Sequence, residues 1–176
     1  MTVAGLLLTP GFGGTRDSPA LVVVETAVDP LPVVRLDLPK RAEPAVEHVV
    51  AAAGTFAQTL GVRPDRLVLG GRSFGGRVCS MAVAGGLPVA GLVLLSYPLH
   101  PPGRPEQLRI DHLPSLKVPV LAISGERDPF GTPDELRTHL AAIPGPLTLT
   151  FVPGTHSPTN NGAVAQAVKD WLATIG

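Results

Sequence analysis

Gly70-Gly71-Arg72-Ser73-Phe74-Gly75-Gly76, directly after the apolar run Leu67-Val68-Leu69, decides how this chain is read. A buried strand that ends in Gly-x-Ser-x-Gly and passes into a helical pattern is the signature of a nucleophile elbow. The serine stands at the tip of a sharp strand-to-helix turn, in strained backbone geometry. Strand and helix then pass so closely that a Cβ at Gly71 or Gly75 would collide. The turn pushes the hydroxyl into solvent and aims the first amides of the helix at the same point. A chain with 20 glycines produces such spacings by chance, so the motif gains its meaning from its surroundings.

The surroundings agree. Val118-Pro119-Val120-Leu121-Ala122-Ile123-Ser124 reads as a buried strand and leads into Gly125-Glu126-Arg127-Asp128-Pro129-Phe130-Gly131. Leu147-Thr148-Leu149-Thr150-Phe151-Val152 reads as another and leads into Pro153-Gly154-Thr155-His156-Ser157. Ser73, Asp128 and His156 thus follow the ends of three strands, the edge where an open α/β sheet gathers its reactive groups. Their chain order is nucleophile, acid, histidine, as elbow-type sites require.

Proton accounting assigns the roles. A serine hydroxyl is a poor nucleophile until a base takes its proton. Imidazole accepts and returns protons near neutrality, which suits His156. Asp128 would hold the imidazole tautomer and stabilise the imidazolium. Asp also favours turns before proline, so Asp128 has a second reading as a turn residue, and Glu126 and Asp111 are the other acids available. Of the remaining histidines, His48 and His139 lie within helical patterns and read as surface residues. His100 and His112 could be read as metal ligands, but nothing in the sequence completes a site. Neither metal nor cofactor is expected.

An oxyanion hole needs a second amide beside that of Phe74. Val3-Ala4-Gly5-Leu6-Leu7-Leu8 reads as a strand leading into Thr9-Pro10-Gly11-Phe12-Gly13-Gly14, and the Phe12 amide is the candidate. A phosphate-binding loop is the rival reading. It lacks the lysine of a Walker motif and the third glycine of a dinucleotide fingerprint.

Together these residues resemble the α/β-hydrolase superfamily, and within it the small, lid-free dienelactone-hydrolase-like group that includes the testis-expressed 30 proteins. The match is carried by Gly70 to Arg77, by Tyr97-Pro98-Leu99-His100-Pro101-Pro102-Gly103, by Gly125 to Gly131 and by the turn at His156, and it covers nearly the whole chain. The resemblance implies Ser73 as nucleophile, Asp128 as acid and His156 as base. The chain departs from it at Pro10-Gly11, where many relatives carry His-Gly, and at Ser157 to Asn161. Dienelactone hydrolases use a cysteine nucleophile where this chain has serine, so that substrate is not carried over.

Composition fits one enzyme domain spanning residues 1–176. Apolar residues make up 44% and charged residues 16%, with 14 basic and 14 acidic side chains cancelling. That balance excludes the basic footprint of a nucleic-acid binder. No stretch approaches the ~20 apolar residues of a membrane span, and the apolar N-terminal run is too short for a signal peptide. The lone Cys79 suits a reducing cytoplasm and reads as a small packing residue on the helix after the elbow.

Strand and helix alternate along the rest. Val33-Val34-Arg35-Leu36 and Gly91-Leu92-Val93-Leu94-Leu95 are strand patterns. Val46, Val49, Val50, Ala53, Phe56 and Leu60 mark an apolar helix face that starts near Pro44. Val164, Ala167, Val168, Trp171, Leu172 and Ile175 mark another. Thr132-Pro133-Asp134-Glu135 is a capping box. Ala20-Leu21-Val22-Val23-Val24 has strand propensity, yet Ser18-Pro19 is a helix start, and a crossover helix is needed there. The expected architecture is a three-layer αβα sandwich with a mostly parallel sheet of about six strands.

The proline-rich segment Tyr97 to Leu116 has no room for a helical lid, so the site is expected to be open and shallow. Tyr97, Leu99 and His100 are expected to line it. Arg72 and Arg77 flank the elbow, either to attract an anionic substrate or as ordinary surface arginines. The expected activity is hydrolysis of a small ester or thioester, with a small acyl compound as substrate and no nucleic-acid or membrane partner. The alternative is a non-catalytic scaffold of the same fold. Oligomeric state is not legible.

Overall fold

Strands that are apolar on both faces are stable only in a sheet covered by helices on both sides. The computed structural model, which describes residues 2–176, has that arrangement. Six parallel strands are β1 (Gly5–Thr9), β2 (Val33–Arg35), β3 (Leu67–Arg72), β4 (Gly91–Leu95), β5 (Val120–Gly125) and β6 (Leu147–Val152). Their order across the sheet is β2-β1-β3-β4-β5-β6. The crossovers contain α1 (Pro19–Val28), α2 (Ala42–Thr59), α3 (Phe74–Ala84) and α4 (Pro133–Leu140), and α5 (Asn161–Ile175) follows β6.

Successive strand side chains point to opposite faces, and the packing divides accordingly. Leu7, Leu69, Leu92 and Leu94 meet Val49 and Ala53 of α2, Val78 of α3 and Leu136 of α4. Leu6, Leu8, Val68, Val93 and Ile123 meet Leu21 and Val24 of α1 and Val168 and Trp171 of α5. The result is a sheet between two helical layers.

The contested segment is helical. Pro19 begins α1, and Leu21, Val24 and Val28 turn inward at helical spacing. The capping box is present: Glu135 accepts from the Thr132 amide at 2.8 Å while Thr132 Oγ1 accepts from the Glu135 amide at 3.4 Å. The face expected for α2 needs one correction. Val50 is 41% exposed, and the inner stripe runs through Ala45, Val49, Ala53, Phe56 and Ala57. Val50 lies 100° round the helix from Val49, beyond the edge of that stripe. In α5, Val164, Val168, Trp171 and Leu172 are buried, and Ala167 and Ile175 pack at the rim.

One topological detail positions the site. From β1 the chain winds outward to β2, returns past β1 to β3, and then continues the other way to β6. The winding sense therefore reverses between β1 and β3. Loops leaving two such strands diverge and open a crevice at their C-terminal ends. Phe12 follows β1, and Ser73 follows β3. Among the described residues, no helix is long and apolar enough to cross a membrane.

Candidate active site

The elbow is strained where the sequence suggests. Ser73 has φ 50° and ψ −116°, a backbone region that L-residues rarely occupy. Its amide donates to the Leu95 carbonyl at 2.8 Å, and its own carbonyl accepts from the Arg77 amide at 3.0 Å. The residue is thus tied to β4 on one side and to the first turn of α3 on the other. A Cβ on Gly71 would collide with Thr9 and with the backbone of Gly75 and Gly76; one on Gly75 would collide with Thr9 and the Pro10 carbonyl.

Three loops bring the reactive groups together. His156 Nε2 lies 2.7 Å from Ser73 Oγ. His156 Nδ1 lies 2.9 and 2.8 Å from the two carboxylate oxygens of Asp128. Asp128 is only 1% exposed and also accepts from the Phe130 amide at 2.8 Å and from Ser124 Oγ at 3.2 Å. A carboxylate only accepts, so Nδ1 carries the imidazole proton and Nε2 presents a lone pair to the serine hydroxyl. Glu126 and Asp111 are exposed, and the acid that meets His156 is Asp128.

Two neighbours hold the imidazole in place. The Phe130 ring stacks on it with centroids 3.9 Å apart. Arg72 donates to the His156 carbonyl at 3.0 Å and to Ser157 Oγ. Sequence reading missed Phe130; its place two residues after the acid was the available signal.

The Phe12 and Phe74 amides donate to no acceptor among the described residues. That of Phe74 opens α3, where the helix dipole favours negative charge. Their rings meet edge to face, with centroids 5.7 Å apart. Phe12 is 68% exposed, and its ring forms part of the cleft's rim.

The cleft measures about 380 Å³ and is lined by Gly11, Phe12, Arg72, Ser73, Phe74, Arg77, Pro98, Arg109, Phe130 and His156. Tyr97, Leu99 and His100, expected in the lining, are not there. They are 1%, 0% and 4% exposed and support the loop from beneath. Tyr97 donates its hydroxyl to the Arg109 carbonyl at 2.6 Å, and the Arg109 amide donates to the Leu99 carbonyl at 2.9 Å. His100 donates from Nδ1 to the Pro101 carbonyl at 2.8 Å. The segment folds back on itself, turning Pro98 and Arg109 toward the cleft. Cys79 is buried against Thr9, and burial pushes its thiol up to about 12, which leaves it inert.

The sequence pattern of the family described as "Alpha/beta hydrolase domain" matches residues 34–170. The chain belongs to the α/β-hydrolase family. This α/β-hydrolase superposes on Est1E from Butyrivibrio proteoclasticus with a TM-score of 0.81, at 18% identity over 99% of this chain and 88% of that one. It is similar to the dienelactone hydrolase from Anabaena variabilis, with a TM-score of 0.78 at 21% identity over 98% and 87% of the two chains. The RedJ thioesterase of the prodiginine pathway in Streptomyces coelicolor gives 0.71 at 18% identity over 96% and 90%. At these identities the likeness is one of fold. As an α/β-hydrolase the chain is minimal: between β4 and β5 it has only a short helical turn at Leu113–Ser115 and no lid.

Proposed function

We propose that this chain is a serine hydrolase that cleaves a small ester or thioester through an acyl-enzyme. The observation that carries the reading is the unbroken contact from Ser73 Oγ through His156, at 2.7 Å, to the buried Asp128, at 2.8 Å. Ser73 Oγ attacks the acyl carbonyl as its proton passes to His156 Nε2. The new oxyanion is held by the Phe12 and Phe74 amides, each worth about 10²–10³ in turnover in comparable sites. As the intermediate collapses, the C–O or C–S bond breaks and His156 returns the proton to the leaving group. Water then gives a proton to His156 and attacks the acyl carbon; as the second intermediate collapses, the bond to Ser73 Oγ breaks and His156 returns the proton to it, releasing the acid and the free enzyme. The whole chain would form one catalytic domain, and its lone buried cysteine fits a reducing cytoplasm.

A fluorophosphonate probe followed by mass spectrometry of the digest tests this reading. The adduct is expected on Ser73 alone and should disappear in Ser73→Ala. A folded protein that stays unlabelled would favour a non-catalytic scaffold.

The open cleft sets a second expectation. A pocket of about 380 Å³ without a cover can seat the atoms around a carbonyl but cannot bury most of a long acyl chain, as tight sites do. p-Nitrophenyl butyrate should exceed the palmitate ester in kcat/KM by about tenfold or more. Preference for palmitate would mean that the segment from Tyr97 to Leu116 closes over the ligand.

A further inference from the structure

Arg77 and Arg109 line the cleft that holds Ser73 and also line an adjoining groove of about 470 Å³, with Met81, Leu108, Ile110 and His112. They therefore stand at the junction of the two. Arg77 lies one helical turn beyond Ser73, a rise of about 5.4 Å, and helical side chains lean back toward the N-terminus. Arg109 comes from the folded-back loop and is held by its backbone bonds to Leu99 and Tyr97 and by a 3.4 Å contact from Nη1 to the Pro98 carbonyl.

What these two residues lack is an anion. Arg16, Arg35, Arg63 and Arg137 each pair with a carboxylate at 3.6 Å or less. Among the described residues, neither Arg77 nor Arg109 has such a partner, and Arg77 Nε is buried without any hydrogen-bond acceptor. Asp111 lines the adjoining groove, but it is exposed and pairs with neither. The positive charges also act on each other: burial first, and then the charge of Arg77, makes Arg109 a weaker base and holds His112 below the ordinary imidazole value. A buried donor without an acceptor is costly. A carboxylate or phosphate accepting from both guanidinium forks removes that cost and the repulsion together.

We propose that Arg77 and Arg109 form an anion subsite, and that the ester or thioester cleaved at Ser73 carries a carboxylate or phosphate a few bonds from the reacting carbonyl. The substrate half of this proposal rests on Ser73 being the nucleophile; the subsite itself can be read without chemistry.

Two measurements separate these parts. Glutarate and inorganic phosphate, titrated against the ¹⁵N-labelled full chain, should each shift the Arg77 Nε–H signal, and the tighter of the two names the anion. In kinetics, p-nitrophenyl hydrogen glutarate and p-nitrophenyl 4-phosphonobutanoate are compared with neutral p-nitrophenyl methyl glutarate. The better anionic ester should lead in kcat/KM by roughly tenfold, mainly through KM. Arg77→Gln and Arg109→Gln should each bring that ratio toward one, and either variant serves if the other fails to fold. Arg137→Gln, an exposed arginine outside the cleft, should keep the ratio. No anion-dependent shift, no preference in the native chain, or equal loss in Arg137→Gln would overturn the subsite. Anion binding with an unlabelled Ser73 would instead leave the subsite standing and remove the nucleophile.

Discussion

Asp128→Asn is expected to lower kcat for a small activated ester by roughly 10⁴-fold while the protein remains folded. The carboxylate sits 1% exposed, with His156 on one side and the Phe130 amide and Ser124 hydroxyl on the other. Asparagine fills the same space. Its amide, however, can donate to Nδ1, which then becomes the acceptor and puts the imidazole proton on Nε2, facing the Ser73 hydroxyl. The base is lost although every atom stays near its place, and no buried negative charge remains to stabilise an imidazolium. Glu126→Gln changes an exposed side chain at the end of β5 and should leave turnover near wild type. Circular dichroism melts alongside p-nitrophenyl acetate kinetics separate loss of chemistry from loss of fold. If Glu126→Gln proves the more damaging change, the acid has been misassigned.

Gly71→Ala should be a severely damaging methyl at the elbow. Its Cβ would enter space held by Thr9 and by the backbone of Gly75 and Gly76, none of which can yield without moving β1 or α3. A cost of roughly 3 kcal/mol is expected, at the upper end for an overpacked core, which lowers the melting midpoint by about 10 °C in a chain of this size. Turnover should fall with it, since α3 carries the Phe74 amide. Gly54→Ala is the contrast: nothing lies within 4 Å of a Cβ there, and alanine in the middle of α2 should stabilise the chain by about 0.5–1 kcal/mol. Paired calorimetry of the two variants should give shifts of opposite sign. A neutral or stabilising shift for Gly71→Ala would mean that packing at the elbow is looser than described.

Much of this arrangement is legible in the sequence because buried parallel strands write themselves as unbroken apolar runs. The strand read at Gly91–Leu95 matches β4 residue for residue; the one at Leu147–Val152 also matches β6, but there the signal is the Leu-Thr alternation of a half-buried edge strand. Helix α1 was legible through Ser18-Pro19 despite its run of valines, since a start signal outweighs propensity when a crossover must follow. The pocket wall was not legible. Which of Tyr97, Pro98, Leu99 and His100 faces the cleft depends on a hydroxyl meeting a carbonyl at Arg109, and no local pattern records a pairing across an irregular loop. For the same reason Arg109 could not be foreseen beside Arg77. Val50 illustrates the smaller error: an apolar residue at the margin of a helix stripe reads as inside until the neighbouring surface is known.

The strand order has a consequence for durability. β3 is paired on both sides, by β1 and β4, whereas β6 has β5 alone. Opening free energies are lowest where backbone hydrogen bonds have solvent on one side. The imidazole hangs from the end of an edge strand, and the hydroxyl from a strand held on both sides. Under mild denaturant the two would part company before the sheet as a whole is lost. Inactivation would then precede unfolding, with the base as the perishable member of the pair and the serine still perched on an intact turn.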